Sequence, residues 1–185
     1  MAESAAKKPV AEYSTRVSGL WNSRHTLVGE DGDLGVLSVT RNATGTVTTG
    51  TYQPEKGEVL YFRRDPGLLR SQFSMWTDGR EWLGSSLRWS YLRREVNIHN
   101  GGKPFRLMPL PGFQRGFSLY APKTGENARI EAGLFGRGAK LETYRRVDFS
   151  LLVFSYFLSS QLLKGSFWPG PSKERALEIT EQTVI

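Results

Sequence analysis

Cysteine is absent from the 185 residues, and histidine occurs only twice, as His25 and His99. No disulfide, thiolate metal ligand or cysteine nucleophile is therefore available. Two histidines are too few for most metal sites, so each is expected on a strand or at a turn rather than as a ligand or a base. The motifs of common chemistries are missing as well: there is no HExxH, no GxSxG, no Walker loop and no GxGxxG. Gly133 to Gly138 is spaced GxxGxG and precedes a strand-like run, which reads as a turn. Glu126, Glu131 and Glu142 stand singly among strand-like residues, as solvated faces do, and offer no acid/base pair. No catalytic residue, cofactor or metal is expected.

An apolar leader is lacking too. The opening MAESAAKKPVAE has two lysines but no h-region and reads as a flexible tail over residues 1–12. Asn42-Ala43-Thr44 matches a glycosylation sequon, and without a secretory signal a turn-flanking asparagine is the expected reading. Absence of cysteine and of a signal together point to a cytoplasmic domain, able to work at the periphery of a membrane.

Charge is present in excess and in one place. The net charge is +7, and residues 61–146 hold 16 Lys/Arg against 7 Asp/Glu, a surplus of nine. The flanking segments are close to neutral. A partner with negative charge is expected to meet that middle segment, since the summed field is what attracts it.

Glycine turns recur at Asp31-Gly32, Lys56-Gly57, Asp78-Gly79, Gly101-Gly102 and Thr124-Gly125, at spacings of 25, 22, 23 and 23 residues. Each lies between β-branched and aromatic runs, such as QFSMW and WLGSSL or VNIH and FRLM. Glycine supplies the positive φ of tight turns, so the pattern predicts β-hairpins. Residues do not repeat at that period, and a propeller blade needs about 40–45. The cadence therefore predicts one antiparallel meander of roughly ten to twelve strands, with two strands and two turns per period.

One long apolar run remains. Between Asp148 and Lys164 stand 15 uncharged residues, FSLLVFSYFLSSQLL. As a helix this run would be about 22 Å long, short of the ~30 Å hydrocarbon layer, so no membrane span is expected. Asp148 can cap the N-terminus, and Gly165 and Pro169 follow the C-terminal end. Its serines and Gln161 do not gather on one face, and a helix apolar on every side is buried on every side. Their hydroxyls can return to the carbonyls of the preceding turn. A barrel of ten to twelve strands has a lumen wide enough to hold such a helix. The expected fold is mainly β, a closed antiparallel barrel around a hydrophobic C-terminal helix.

This hairpin cadence over residues 16–146, joined through AKLETYRRVDFSLLVFSYFLSSQLL to the apolar run, resembles the tubby C-terminal-like superfamily of tubby domains, phospholipid scramblases and LURP-one-related proteins. The resemblance implies about 12 strands around a central helix at about 148–164, a domain over 13–165 and a C-terminal tail over 166–185. It also implies lipid or protein binding. The cysteines and acidic calcium stretch of scramblases have no counterpart here, and Asp148 stands nearly alone, which speaks against scrambling.

The dibasic pairs Arg63-Arg64, Arg93-Arg94 and Arg145-Arg146, with Lys140, are the candidate anion- or lipid-binding residues. Neighbours on a strand point to opposite faces, so one of each pair is expected to meet solvent on the barrel's outside. Trp76, Trp82, Trp89, Tyr91 and Phe105 accompany them and could imitate a stacking surface for nucleic acid. Aromatics in strands serve the core more often, so nucleic acid is not the expected partner. The function expected is a non-enzymatic binding or scaffold domain whose basic outer face contacts anionic phospholipid headgroups or an acidic protein surface. A structural subunit of a larger assembly, with no ligand of its own, is the alternative.

Overall fold

The alternating runs become twelve antiparallel strands in the computed structural model, which describes residues 8–19, 22–65, 72–87, 95–133 and 138–163. They are β1 (Ala11–Ser18), β2 (Arg24–Gly29), β3 (Gly32–Arg41), β4 (Val47–Pro54), β5 (Leu60–Arg64) and β6 (Gln72–Thr77). Then come β7 (Trp82–Leu87), β8 (Val96–Asn100), β9 (Lys103–Pro109), β10 (Gly116–Ala121), β11 (Gly125–Ala132) and β12 (Gly138–Thr143). Each strand pairs with its neighbours in the chain, and β1 pairs with β12 from Ala11↔Thr143 to Arg16↔Gly138, closing the barrel. One helix, α1 (Phe149–Leu162), follows β12 and runs back through the lumen.

Up-and-down connection explains the cadence. All five glycine turns join an even strand to the following odd one, so all lie at the end of the barrel where α1 begins, the entry end. Gly101 and Gly102, at φ 55° and 75°, form a two-residue hairpin loop between the paired Asn100 and Lys103. At Asp78-Gly79 the positive φ falls one residue later, on Arg80 at 63°. Arg80 N–H closes a turn on the Thr77 carbonyl at 3.1 Å, and a left-handed residue then brings the chain back into register.

The barrel starts earlier than the sequence suggested: Ala11 and Glu12, read as tail, belong to β1. Ala11 and Glu12 are held by pairing with Thr143 and Glu142, contacts that no local pattern in the first dozen residues announces. The tails at 1–7 and 166–185 lie outside the described residues.

Helix α1 is capped as expected. The Asp148 carboxylate accepts from the Ser150 N–H at 3.0 Å and from its hydroxyl at 2.9 Å. Residues 151–159 are buried without interruption, so the helix has no wet face. Leu151, Leu152, Val153, Phe154, Phe157 and Leu158 meet inward rows such as Leu37 and Val39, Leu60 and Phe62, or Phe117 and Leu119. Each such side chain contributes about 1.5–3 kcal/mol of burial. Among the described residues no helix is long and apolar enough to cross a membrane.

Polar groups inside the lumen tie helix to wall. The Tyr156 hydroxyl shares hydrogen bonds with Nδ1 of His25 at 2.7 Å and with the Thr15 hydroxyl at 3.0 Å. Thr15 Oγ1 in turn accepts from the Ala139 N–H at 2.8 Å, across the β1–β12 seam. Ser159 and Ser160 donate to the Ser155 and Phe157 carbonyls, as the sequence suggested. Ser155 does not follow them: its Oγ is wholly buried without a hydrogen-bond partner among the described residues. A buried hydroxyl without a partner costs free energy, so Ser155→Ala is expected to raise stability by about 1 kcal/mol, measured by urea unfolding.

Candidate anion-binding site

The structure separates the basic residues that the sequence put together. Arg63 and Arg64 end β5, Arg63 facing out and Arg64 facing in, because Leu60, Phe62 and Arg64 form the inward row of that strand. Arg63 lies over the Tyr61 ring, 5.7 Å from its centroid. Arg145 and Arg146 lie beyond the end of β12, in the bend before α1, and both are exposed. One of each pair was expected outside; here no strand remains to alternate them. They sit at the entry end, whose turns also carry Glu30, Asp31, Glu55, Glu58, Asp78 and Glu81. Arg93 and Arg94 lie outside the described residues.

Lys140 faces out on β12 but is already occupied. Its Nζ lies 2.6 Å from Glu142 and 3.1 Å from Glu12 on β1. These carboxylates hold the ammonium pKa above its ordinary value, and Lys140 with Tyr144 holds that of Glu142 below its own. Arg129 on β11 is similarly engaged, gripping Glu126 through Nε and Nη2 at 3.0 Å, with Glu131 at 3.7 Å. Between β9 and β10 the outer wall is covered, since Arg106, Met108 and Tyr120 point outward by register and are nonetheless buried. Two of the middle segment's cations, Lys140 and Arg129, are therefore engaged on the wall by local carboxylates.

Charge with fewer carboxylates beside it gathers at the other end, where α1 finishes. Arg24 opens β2, Arg41 closes β3, Arg64 closes β5, and Arg115 is exposed in the turn before β10, against Asp65, Glu95 and Glu131, the partner of Gly116, among the described residues there. Arg41 was not singled out by the sequence reading, yet the signal was present: Leu37, Val39 and Arg41 make an inward row like that of β5, ending in arginine. The turn after Arg41 is fixed by Asn42, whose Oδ1 accepts from the Thr44 N–H at 3.1 Å and the Thr46 N–H at 2.9 Å. Arg41 Nη1 donates to the Gly45 carbonyl at 3.0 Å, which aims the guanidinium.

Both inward arginines line a cleft of about 210 Å3 at the exit end, whose floor is the last turn of α1. A charge on the inward row of a barrel is costly to desolvate unless it has a partner or an opening, and here it has the opening. At the same end of the barrel, in the turn between β9 and β10, Phe113 stands 89% exposed between Gly112 and Gln114, two residues from Arg115. Neither Phe113 nor Arg115 was expected to matter, because a lone aromatic in a glycine-flanked turn carries no periodic signal. No protein-family model, curated protein or solved structure matches the chain, so what this end of the barrel does is read from its residues alone.

Proposed function

We propose that the chain is a non-enzymatic binding domain of tubby-like type that docks on anionic lipid headgroups through the exit end of its barrel. The observation that carries this reading is Phe113, 89% exposed at a turn tip and flanked by Arg115 on the basic end. An apolar ring presented with cations around it suits the boundary between headgroups and acyl chains, where the ring sinks and the guanidinium pairs with phosphate. The outer wall supports contact less well, because Lys140 and Arg129 are held by their own carboxylates. A lumen filled by α1 leaves little interior for a substrate, which favours binding over catalysis.

Flotation with vesicles tests this. Retention is expected on vesicles containing phosphatidylserine or a phosphoinositide at low salt, falling steeply as screening rises. Burial of one phenylalanine is worth about 1.5–3 kcal/mol, so Phe113→Ser is expected to weaken retention tenfold or more. One arginine near a charged surface is worth about 1 kcal/mol, so Arg115→Gln is expected to cost about fivefold. Arg145→Gln and Arg146→Gln, at the far end, are expected to change little. Equal retention on neutral vesicles, or none on anionic ones, overturns the reading. Stable co-purification with a protein through high salt instead supports the subunit alternative.

A further inference from the structure

The exit-end cleft has the composition of a site for a single small molecule rather than for a surface. Arg41 and Arg64 are each the last residue of an inward row, on strands that are not neighbours, and both turn into the same opening. An inward row that is apolar for two residues and then basic is unusual twice over on one barrel end. Among the described residues Arg64 takes part in no salt bridge. Arg41 spends one N–H on Gly45 and keeps the rest of its donor fork. Beside them the lining is mainly apolar: Phe73, the cross-strand partner of Arg64, with Val96, Leu158 and Leu162, each retaining 3–7% exposure where the deep core has none, next to Ser86 and Gln161. Its volume of about 210 Å3 is below the ~300 Å3 at which pockets for drug-sized molecules begin. A compact head with a few methylenes suits it.

We infer that this cleft binds one amphipathic oxyanion, with a carboxylate or phosphate monoester held by Arg41 and Arg64 and the start of an acyl chain laid on Phe73, Val96, Leu158 and Leu162. Guanidinium forks bind both headgroups bidentately, which is the shared chemistry of the two. The chain supplies hydrophobic burial that a free anion lacks. This inference is independent of vesicle docking, because the ligand is taken from solution.

Calorimetric titration of the full chain below the micelle concentration tests it, with octanoate and octyl phosphate as the probes. Saturable one-to-one binding of at least one of them is expected, at least about tenfold tighter than octanol and than inorganic phosphate, each of which lacks half of the recognition. The tighter probe identifies the headgroup. Arg64→Gln and Arg41→Gln are each expected to weaken it about tenfold, while Arg63→Gln, the same loss of charge on the outward face, leaves it unchanged. Thermal melts of the three variants check that the barrel is intact. Octanol binding as tightly as the anions, inorganic phosphate doing so, or indifference to both inward arginines overturns the inference. So does failure of both amphiphiles to bind. Absence of retention of the unaltered chain on anionic vesicles, with octanoate or octyl phosphate binding kept, would overturn the docking reading alone and leave this inference standing.

Discussion

Replacing Phe157 by alanine is expected to remove about 3–5 kcal/mol of stability, a large part of the 5–15 kcal/mol typical of a whole domain. Its ring is the meeting point of an aromatic cluster, 5.0 Å from Phe62, 5.1 Å and edge-on to Phe73, and 6.5 Å from Phe154. It reaches that depth because β4 has no side chain at Gly50. A Cβ there would lie 2.7 Å from Cε2 of Phe157, closer than packed carbon atoms approach. Gly50 has an ordinary φ, so it is there for space rather than for backbone freedom. Gly50→Ala is consequently expected to cost about 1–3 kcal/mol by overpacking. In a Phe157→Leu background that penalty should shrink, since the shorter side chain vacates the space. Denaturant unfolding of the two single variants and the double variant measures the coupling, and strict additivity would show that ring and glycine do not meet.

Alkali is expected to unfold the barrel cooperatively between pH 10 and pH 12. Tyr156, Tyr52 and Tyr120 are 2%, 1% and 4% exposed, and burial, aided at Tyr52 by Glu55 and at Tyr120 by Glu126, pushes each phenol up to about 12. Tyr144 is raised in the same direction, by burial and by its hydrogen bond to Glu142. In the unfolded chain a phenol ionises near its ordinary value of ~10. A raised folded pKa means that the stabilisation is fully present below pH 10 and is lost as pH climbs toward 12. A two-unit shift corresponds to ~2.7 kcal/mol for Tyr156, and somewhat less for the others after discounting solvent screening, so the group removes several kcal/mol together. Tyrosinate absorbance should therefore rise together with the loss of circular dichroism. Full phenol ionisation near pH 10 with the sheet signal intact would contradict this.

Two parts of the architecture were legible before any coordinates. The helix was, because Phe149 to Leu163 is apolar on all sides, too short for a bilayer and opened by Asp148; only a surrounding sheet satisfies such a segment. The strands were, because glycine turns about 23 residues apart fix an up-and-down order. Long-range partners were not legible. Lys140 shows its nearer partner Glu142 along the chain, but not Glu12, which β1 brings against it from 128 residues away. Ala11 and Glu12 have little strand character of their own and are recruited by β12. The candidate site was half visible for the same reason. Alternation correctly put Arg63 and Arg64 on opposite faces, but the inward one was the informative member, and recognising it requires knowing where β5 ends and which face is the lumen. Arg145 and Arg146 are both exposed, against the alternation expected of such a pair, because β12 stops at Thr143 and the two-residue rule no longer applies to them.

The seam between β1 and β12 also sets a timetable for synthesis. Its partners include Ala11 and Thr143, 132 residues apart in the chain, and a ribosome adding about 5–20 residues per second needs roughly 7–26 s to deliver the second after the first. Throughout that interval the outer edge of β1 has no companion strand and the half-made sheet has no plug, because α1 leaves the ribosome last of all these parts. A nascent edge left open for seconds invites pairing with other chains. The demand that this fold makes on chaperones thus falls on the unfinished polypeptide, before the seam can be sewn.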